Sequence, residues 1–197
     1  LWLGDNAYDD GRDYEYQTKN FEIYPEIYAK TVLWPSPGNH EYGSGYPFVI
    51  PPDTPYFDNF TMPINGEAGG MPSGIESYYS FDYGNVHFIS LNSEHYTFTV
   101  FPPSVTHSDS MISWLENDLA ANTNKDWIIA YWHQTPYSRG THSETTGIEY
   151  PMRSMRDNLV PILEQYGVDL VLLGHSHNYE RSYLIHGFYI TDSTFNA

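Results

Sequence analysis

Cysteine is absent from the 197 residues, and basic residues are scarce: 8 Lys plus Arg stand against 25 Asp plus Glu, a formal net charge of −17. The first absence excludes disulfides, zinc-thiolate sites, iron–sulfur clusters and a cysteine nucleophile. Any metal must therefore be held by imidazole, carboxylate, amide or phenol. The second removes the basic stripe that would neutralise phosphates, so neither a stable nucleic-acid complex nor an anionic membrane surface is expected as a partner. Long apolar runs are missing too, and nothing reaches the roughly 18 residues needed to span a bilayer.

What is present points to a folded chain. Apolar residues make up 40% and aromatics 17%, with 19 Tyr, 15 Gly and 14 Pro. That is too apolar for disorder, and the length suits one domain with a sizeable core. An acidic, Tyr-rich, Cys-free composition is compatible with export, and a secreted or periplasmic location is the expectation. The chain opens directly on the apolar run Leu1-Trp2-Leu3 and stops after Thr191 to Ala197 with no closing element. Residues 1–197 accordingly read as a partial domain, truncated at both ends, with no internal repeat or linker.

Four short apolar runs each end in small or polar residues. Leu1 to Leu3 leads into Gly4-Asp5, and Thr31 to Trp34 leads through Pro35-Ser36-Pro37 into Gly38-Asn39-His40-Glu41. Trp127 to Trp132 ends at His133, and Val168 to Leu173 ends at Gly174-His175-Ser176-His177. Continuous apolar runs of this length suit strands buried on both faces, whose carboxyl ends are where open α/β sheets place ligands. Tyr79 to Tyr83 and Val86 to Leu91, around Gly84-Asn85, read as a hairpin, which implies mixed sheets. Met155, Leu159, Ile162, Leu163 and Tyr166 form the stripe of an amphipathic helix stopping at Gly167. Met111, Leu115 and Leu119 form a second after Ser108 or Asp109, and a weaker third helix lies between Asp13 and Lys30. Residues 43–77 read as a long loop.

Nine His occur, and four of them (His40, His133, His175 and His177) follow apolar runs directly or closely. His175 and His177 are two apart, so in an extended segment they point to one side and can reach one metal or two. With Asp5, Tyr8, Asn39 and His133 they form an oxygen and imidazole donor set, too large for a single ion. Phenolate and carboxylate favour a trivalent cation, imidazole a divalent one. A bridging carboxylate between two cations is the arrangement that clamps the attacking and leaving oxygens of phosphoryl transfer.

Gly4-Asp5-Asn6-Ala7-Tyr8, Gly38-Asn39-His40-Glu41, Tyr131-Trp132-His133 and Gly174-His175-Ser176-His177-Asn178-Tyr179-Glu180-Arg181 resemble, in order, the motif set of purple acid phosphatases among the calcineurin-like metallophosphoesterases. The resemblance implies an α/β (α+β) fold, a four-layer α/β/β/α sandwich with mixed sheets. The family's opening Asp-x-Gly motif and its strand have no counterpart before Leu1. Two metal ions are implied, ferric iron plus a divalent ion (Zn, Mn or Fe). Asp5 would bridge them, Tyr8 and His177 would complete the ferric site, and Asn39, His133 and His175 would hold the divalent ion. His40 and His142 would bind phosphate or donate a proton. The implied reaction is hydrolysis of a small phosphate monoester by water that the cations make nucleophilic. A phosphodiesterase, nucleotidase or phytase on the same scaffold is the alternative, as is a noncatalytic binding module. Glu180 and Arg181 read as a structural ion pair. The oligomeric state is not legible.

Overall fold

The computed structural model describes residues 1–43, 54–100, 103–143 and 150–189, the strands at 96–100 and 103–107 by their backbone alone. A four-stranded mixed sheet has the order β3 (Tyr79–Tyr83), β4 (Val86–Ser90), β7 (Trp127–Trp132), β8 (Leu170–Leu173). The β3–β4 hairpin is antiparallel, while β4, β7 and β8 run parallel. A separate parallel pair joins β1 (Trp2–Leu3) to β2 (Pro35–Ser36), and β5 (Tyr96–Val100) pairs antiparallel with β6 (Pro103–His107).

Alternation along the strands builds two cores, because successive side chains in a strand face opposite sides. From β7, Ile128, Ala130 and Trp132 enter one core; from β4 and β8, Ile89, Val171 and Leu173 join it. This face packs against α4 (Asp109–Ala121) through Met111, Leu115 and Leu119, and against the C-terminal helix through Met155, Leu159 and Leu163. The opposite residues, Tyr131, Phe88 and Leu172, face a second core shared with Trp2, Leu3, Tyr79 and Phe81. That core is covered by α1 (Asp13–Tyr16), which continues as a π turn over Gln17–Phe21, and by α3 (Pro55–Asn59). The mixed α/β arrangement agrees with the fold expected from the motif order.

The C-terminal helix has a local cause for its irregularity. It runs as α5 (Tyr150–Ser154), a π turn (Met155–Leu159) and α6 (Val160–Gln165). Pro161 has no N–H to return to Asp157, and the helix widens just ahead of it. Its apolar stripe is as expected, and Gly167 ends it with φ 72.

Three expectations are corrected. The strand expected at Thr31 to Trp34 pairs instead at Pro35–Ser36. Proline is tolerated there because the segment works through its carbonyls: Trp34 O accepts the Trp2 N–H at 3.1 Å, and Pro35 O accepts the hydroxyls of Tyr56 at 2.9 Å and Tyr79 at 2.7 Å. The single weak helix between Asp13 and Lys30 is two short ones, α1 and α2 (Pro25–Tyr28), because Pro25 starts a new helix rather than continuing the first. The stretch 43–77 contains α3, and its residues 44–53 lie outside the described residues, as do 190–197 at the C-terminus.

Candidate metal centre

The carboxyl ends of β1, β2, β7 and β8 meet on one edge. His133, directly after β7, has its Nδ1 2.8 Å from the carbonyl of Leu3, which ties the two sheets together. The N–H of Gly174 donates to His133 O at 3.0 Å and aligns the end of β8 beside it. Glycine is obligatory where the segments converge: a Cβ on Gly38 would stand 2.4 Å from both the backbone N and Oδ1 of Asp5, and one on Gly4 would stand 2.5 Å from the ring of His133.

The donor chemistry of this edge calls for a cation. A carbonyl only accepts, so His133 carries its proton on Nδ1 and turns the lone pair of Nε2 inward. That nitrogen lies 3.1 Å from Asp5 Oδ2, 3.1 Å from Asn39 Oδ1 and 3.1 Å from His175 Nδ1. Asp5, His133 and His175 offer ligand atoms all within 4.8 Å of one another. Electron-rich atoms crowded this closely are held together by a positive charge, a metal ion or a proton. Without a metal the proton serves: burial works against a charged His133, but the carboxylate of Asp5 outweighs it and raises the imidazole above its ordinary value. Asp5 is reciprocally held well below the usual carboxylate range, burial notwithstanding, by His133 and by the His40 N–H at 3.0 Å.

Tyr8 meets the same carboxylate oxygen and brings His177 beside it. The Tyr8 hydroxyl donates to Asp5 Oδ2 at 2.9 Å and lies 3.0 Å from His177 Nε2. Burial and the nearby Asp5 charge push the Tyr8 phenol up. His40 packs its ring 4.3 Å from that of Tyr8, with Nε2 3.9 Å from Asp5 Oδ2. His142 has its ring 4.2 Å from that of His175 and 5.5 Å from that of His177. All eight residues singled out in the sequence therefore gather at one edge: Asp5, Tyr8, Asn39, His40, His133, His142, His175 and His177. Glu180 and Arg181 do not follow the expected ion pair: the Glu180 carboxylate accepts the Arg139 N–H at 2.8 Å, which fixes the loop leading to His142.

The backbone is strained at the same place. Among the described residues, Asp5, His175 and His177 are the non-glycine positions with positive φ, at 52°, 66° and 55°. Such conformations persist where surrounding structure enforces them, typically at functional sites.

Sequence reasoning gave no role to the buried residue that ties these loops together. Glu41, 1% exposed, accepts backbone N–H groups from Asp5 at 2.9 Å, Asn6 at 2.6 Å, Ala7 at 3.2 Å and Gly38 at 2.6 Å. Burial and the Asp5 charge push its carboxyl up to about 7, against those N–H groups. The available signal was its position three residues after Gly38, where a glutamate reaches back to the start of a helical turn.

Comparison with known proteins adds identity to this geometry. The chain is 30% identical to mouse (Mus musculus) acid phosphatase type 7, over 100% of this chain and 43% of that protein. It is 30% identical to purple acid phosphatase 18 of Arabidopsis thaliana, over 92% of this chain and 38% of the relative. It is 29% identical to probable inactive purple acid phosphatase 9 of the same plant, over 91% and 29%. The chain thus spans less than half the length of these curated relatives. The family model described as calcineurin-like phosphoesterase matches residues 1–179, and such membership implies divalent metal ions. That match runs from the strand delivering Asp5 past the loop delivering His177, and the chain belongs to the calcineurin-like phosphoesterase family.

Proposed function

We propose that this chain carries the hydrolytic centre of an acid phosphatase that cleaves small phosphate monoesters with two cations. One observation carries the reading: Asp5 Oδ2 stands between two donor sets, 3.1 Å from His133 Nε2 on one side and 2.9 Å from the Tyr8 hydroxyl on the other. A shared carboxylate oxygen with donors on both flanks suits two ions better than one. Asn39, His133 and His175 would hold a divalent ion, and Tyr8 with His177 a ferric one, as hard phenolate oxygen favours.

Cations bound there would supply positive charge for an anionic ester in a chain of formal charge −17 and would lower the pKa of water from 15.7 to about 7. The protein's own groups do the rest. Leu3 O and the Asp5 carboxylate orient the His133 ring. His40, beside Tyr8, and His142, beside His175, can bind phosphate oxygens or donate a proton to the leaving alkoxide.

The test loads the protein with ferric iron and Zn²⁺, measures metal per chain, and compares p-nitrophenyl phosphate with its bis-p-nitrophenyl diester. Two metals per chain, faster monoester hydrolysis and a visible tyrosinate-to-iron absorption lost in Tyr8→Phe are expected. A protein that takes up no metal ends the hydrolase reading in favour of a binding module, and a faster diester ends the monoesterase one.

A further inference from the structure

Residues 4–12 connect β1 to α1 without regular secondary structure, yet they carry Asp5 and Tyr8. A segment of this kind has backbone N–H groups that no ladder satisfies, and buried donors must find partners. Here they find two carboxylates. Glu41 takes the N–H groups of Asp5, Asn6 and Ala7. Glu15, 2% exposed, takes those of Asp9, Asp10 at 3.0 Å and Arg12 at 3.0 Å. Tyr8 lies between the two sets.

Neither glutamate has acceptor capacity to spare. In Glu41, Oε1 faces Asn6 N, Ala7 N and the Tyr16 hydroxyl at 3.3 Å, while Oε2 faces Asp5 N and Gly38 N. One carboxylate thereby joins the Asp5 loop to the segment presenting Asn39, so both sides of the shared oxygen depend on it. In Glu15, Oε1 faces Asp9 N and the Lys19 ammonium at 3.2 Å, while Oε2 faces Asp10 N and Arg12 N. Its reach covers the Tyr8 side only. Burial opposes the charge of Glu15, but the N–H groups of Arg12 and Asp10 and the Lys19 ammonium outweigh it and hold the carboxyl at about 2.

We propose that Glu41 and Glu15 are positioning residues that hold the loop in its metal-receiving shape before any cation binds, Glu41 acting on both donor sets and Glu15 on the Tyr8 and His177 set alone. The proposal rests on the two-cation reading above. Partners that orient metal ligands typically change affinity by roughly 10–100-fold when removed. Glutamine tests this without altering volume, because either orientation of its amide turns an NH₂ toward a backbone N–H.

The experiment titrates metal-free parent, E41Q and E15Q with Zn²⁺ against a chromogenic chelator, and measures amide exchange across residues 4–12 in the metal-free parent. Protected amides at 5–7 and 9–12 are expected, with roughly 10–100-fold weaker binding of both Zn²⁺ equivalents in E41Q and of only one in E15Q. A glutamate that merely stabilised the fold would lower the thermal midpoint without that split. Fast exchange in the parent, or unchanged Zn²⁺ affinities in folded variants, overturns the proposal. A parent that binds no Zn²⁺ defeats instead the reading on which it rests. Should E41Q not fold, E15Q and the parent's exchange still decide.

Discussion

The buried polar cluster around His87, outside the set of donors gathered at the metal edge, offers a sharp stability test. His87 on β4 is 0% exposed, with Nδ1 2.8 Å from Asp82 Oδ1 and Nε2 2.7 Å from Asp118 Oδ2. Carboxylates only accept, so both ring nitrogens carry protons and the ring is an imidazolium. Burial alone would drive it toward neutrality; the carboxylates of Asp118 and Asp82 outweigh burial and raise its pKa above 6.5. Replacing His87 with Leu leaves Asp118 bonded through Oδ1 to Ser80 at 2.7 Å and Met71 N at 2.8 Å, but strips Oδ2. Removing one partner of a buried pair costs about 3–5 kcal/mol. For a chain of 197 residues that lowers the thermal midpoint on the order of 6–20 °C.

The pH dependence has a definite sign. A group whose pKa is raised on folding contributes fully below its unfolded value, near ~6.5 for His, and loses that contribution as pH rises through the folded value. Asp82, with its pKa lowered, despite burial, by Lys125 and His87, contributes above about 3.8 and loses its part as pH falls through the folded value. Urea denaturation of parent and His87→Leu should therefore differ most between about pH 4 and 6.5 and converge on the alkaline side. A difference that stays constant from about pH 6 to 9, or a cost below about 1 kcal/mol, would refute the imidazolium assignment.

Three further outcomes are expected. Gly38→Ala places a methyl 2.4 Å from the Asp5 backbone, so it should cost about 1–3 kcal/mol in denaturation and abolish Zn²⁺ uptake measured by elemental analysis. Replacing the residue that donates the leaving-group proton, His40 or His142, by Ala should lower kcat on an alkyl phosphate by roughly 10²–10⁴, and far less on p-nitrophenyl phosphate, whose leaving group needs no proton. Equal losses on both esters would assign that imidazole to phosphate binding instead. His177→Asn, a residue that accepts φ near the observed 55°, should leave the metal-free protein as stable or up to about 1 kcal/mol more stable in urea, yet remove one of the two metals proposed to bind.

How legible each feature was depends on how far apart its parts lie. β7 and β8 announce themselves as apolar runs, and the β3–β4 hairpin by alternation around Gly84-Asn85. The two-residue strand β2 does not, because Pro35 hides it and its bonds come from Trp2, Tyr56 and Tyr79, none of them local. The antiparallel pair β5–β6 went unread because the prolines at 102 and 103 look like loop, although Tyr96 to Val100 alternates. The proposed ligands were readable as candidates because Asp5, Tyr8, Asn39, His133, His175 and His177 follow apolar runs or sit in motifs, whereas His142 was placed only by its spacing from His133. Glu15, Glu41 and the His87 pair were not, since their meaning lies in donors supplied by other segments. A buried carboxylate looks the same in sequence as a solvated one.

That asymmetry follows from what the site asks of the backbone. A strand end delivers a side chain along the strand, whereas a metal edge needs side chains from four strand ends turned onto one volume. The chain achieves this by passing through left-handed conformations at Asp5, His175 and His177, which cost roughly 1–3 kcal/mol each. Such turns survive only where their neighbours over-determine them, and the neighbours are visible: Glu41 on the amides beside Asp5, Leu3 O on His133, and the Ser138 hydroxyl 2.6 Å from that of Ser176 between the two histidines. The strain is local but its restraint comes from residues 36 to 130 positions away. The surrounding polar network, more than the donors themselves, therefore sets whether a cation meets a prepared site or must organise one.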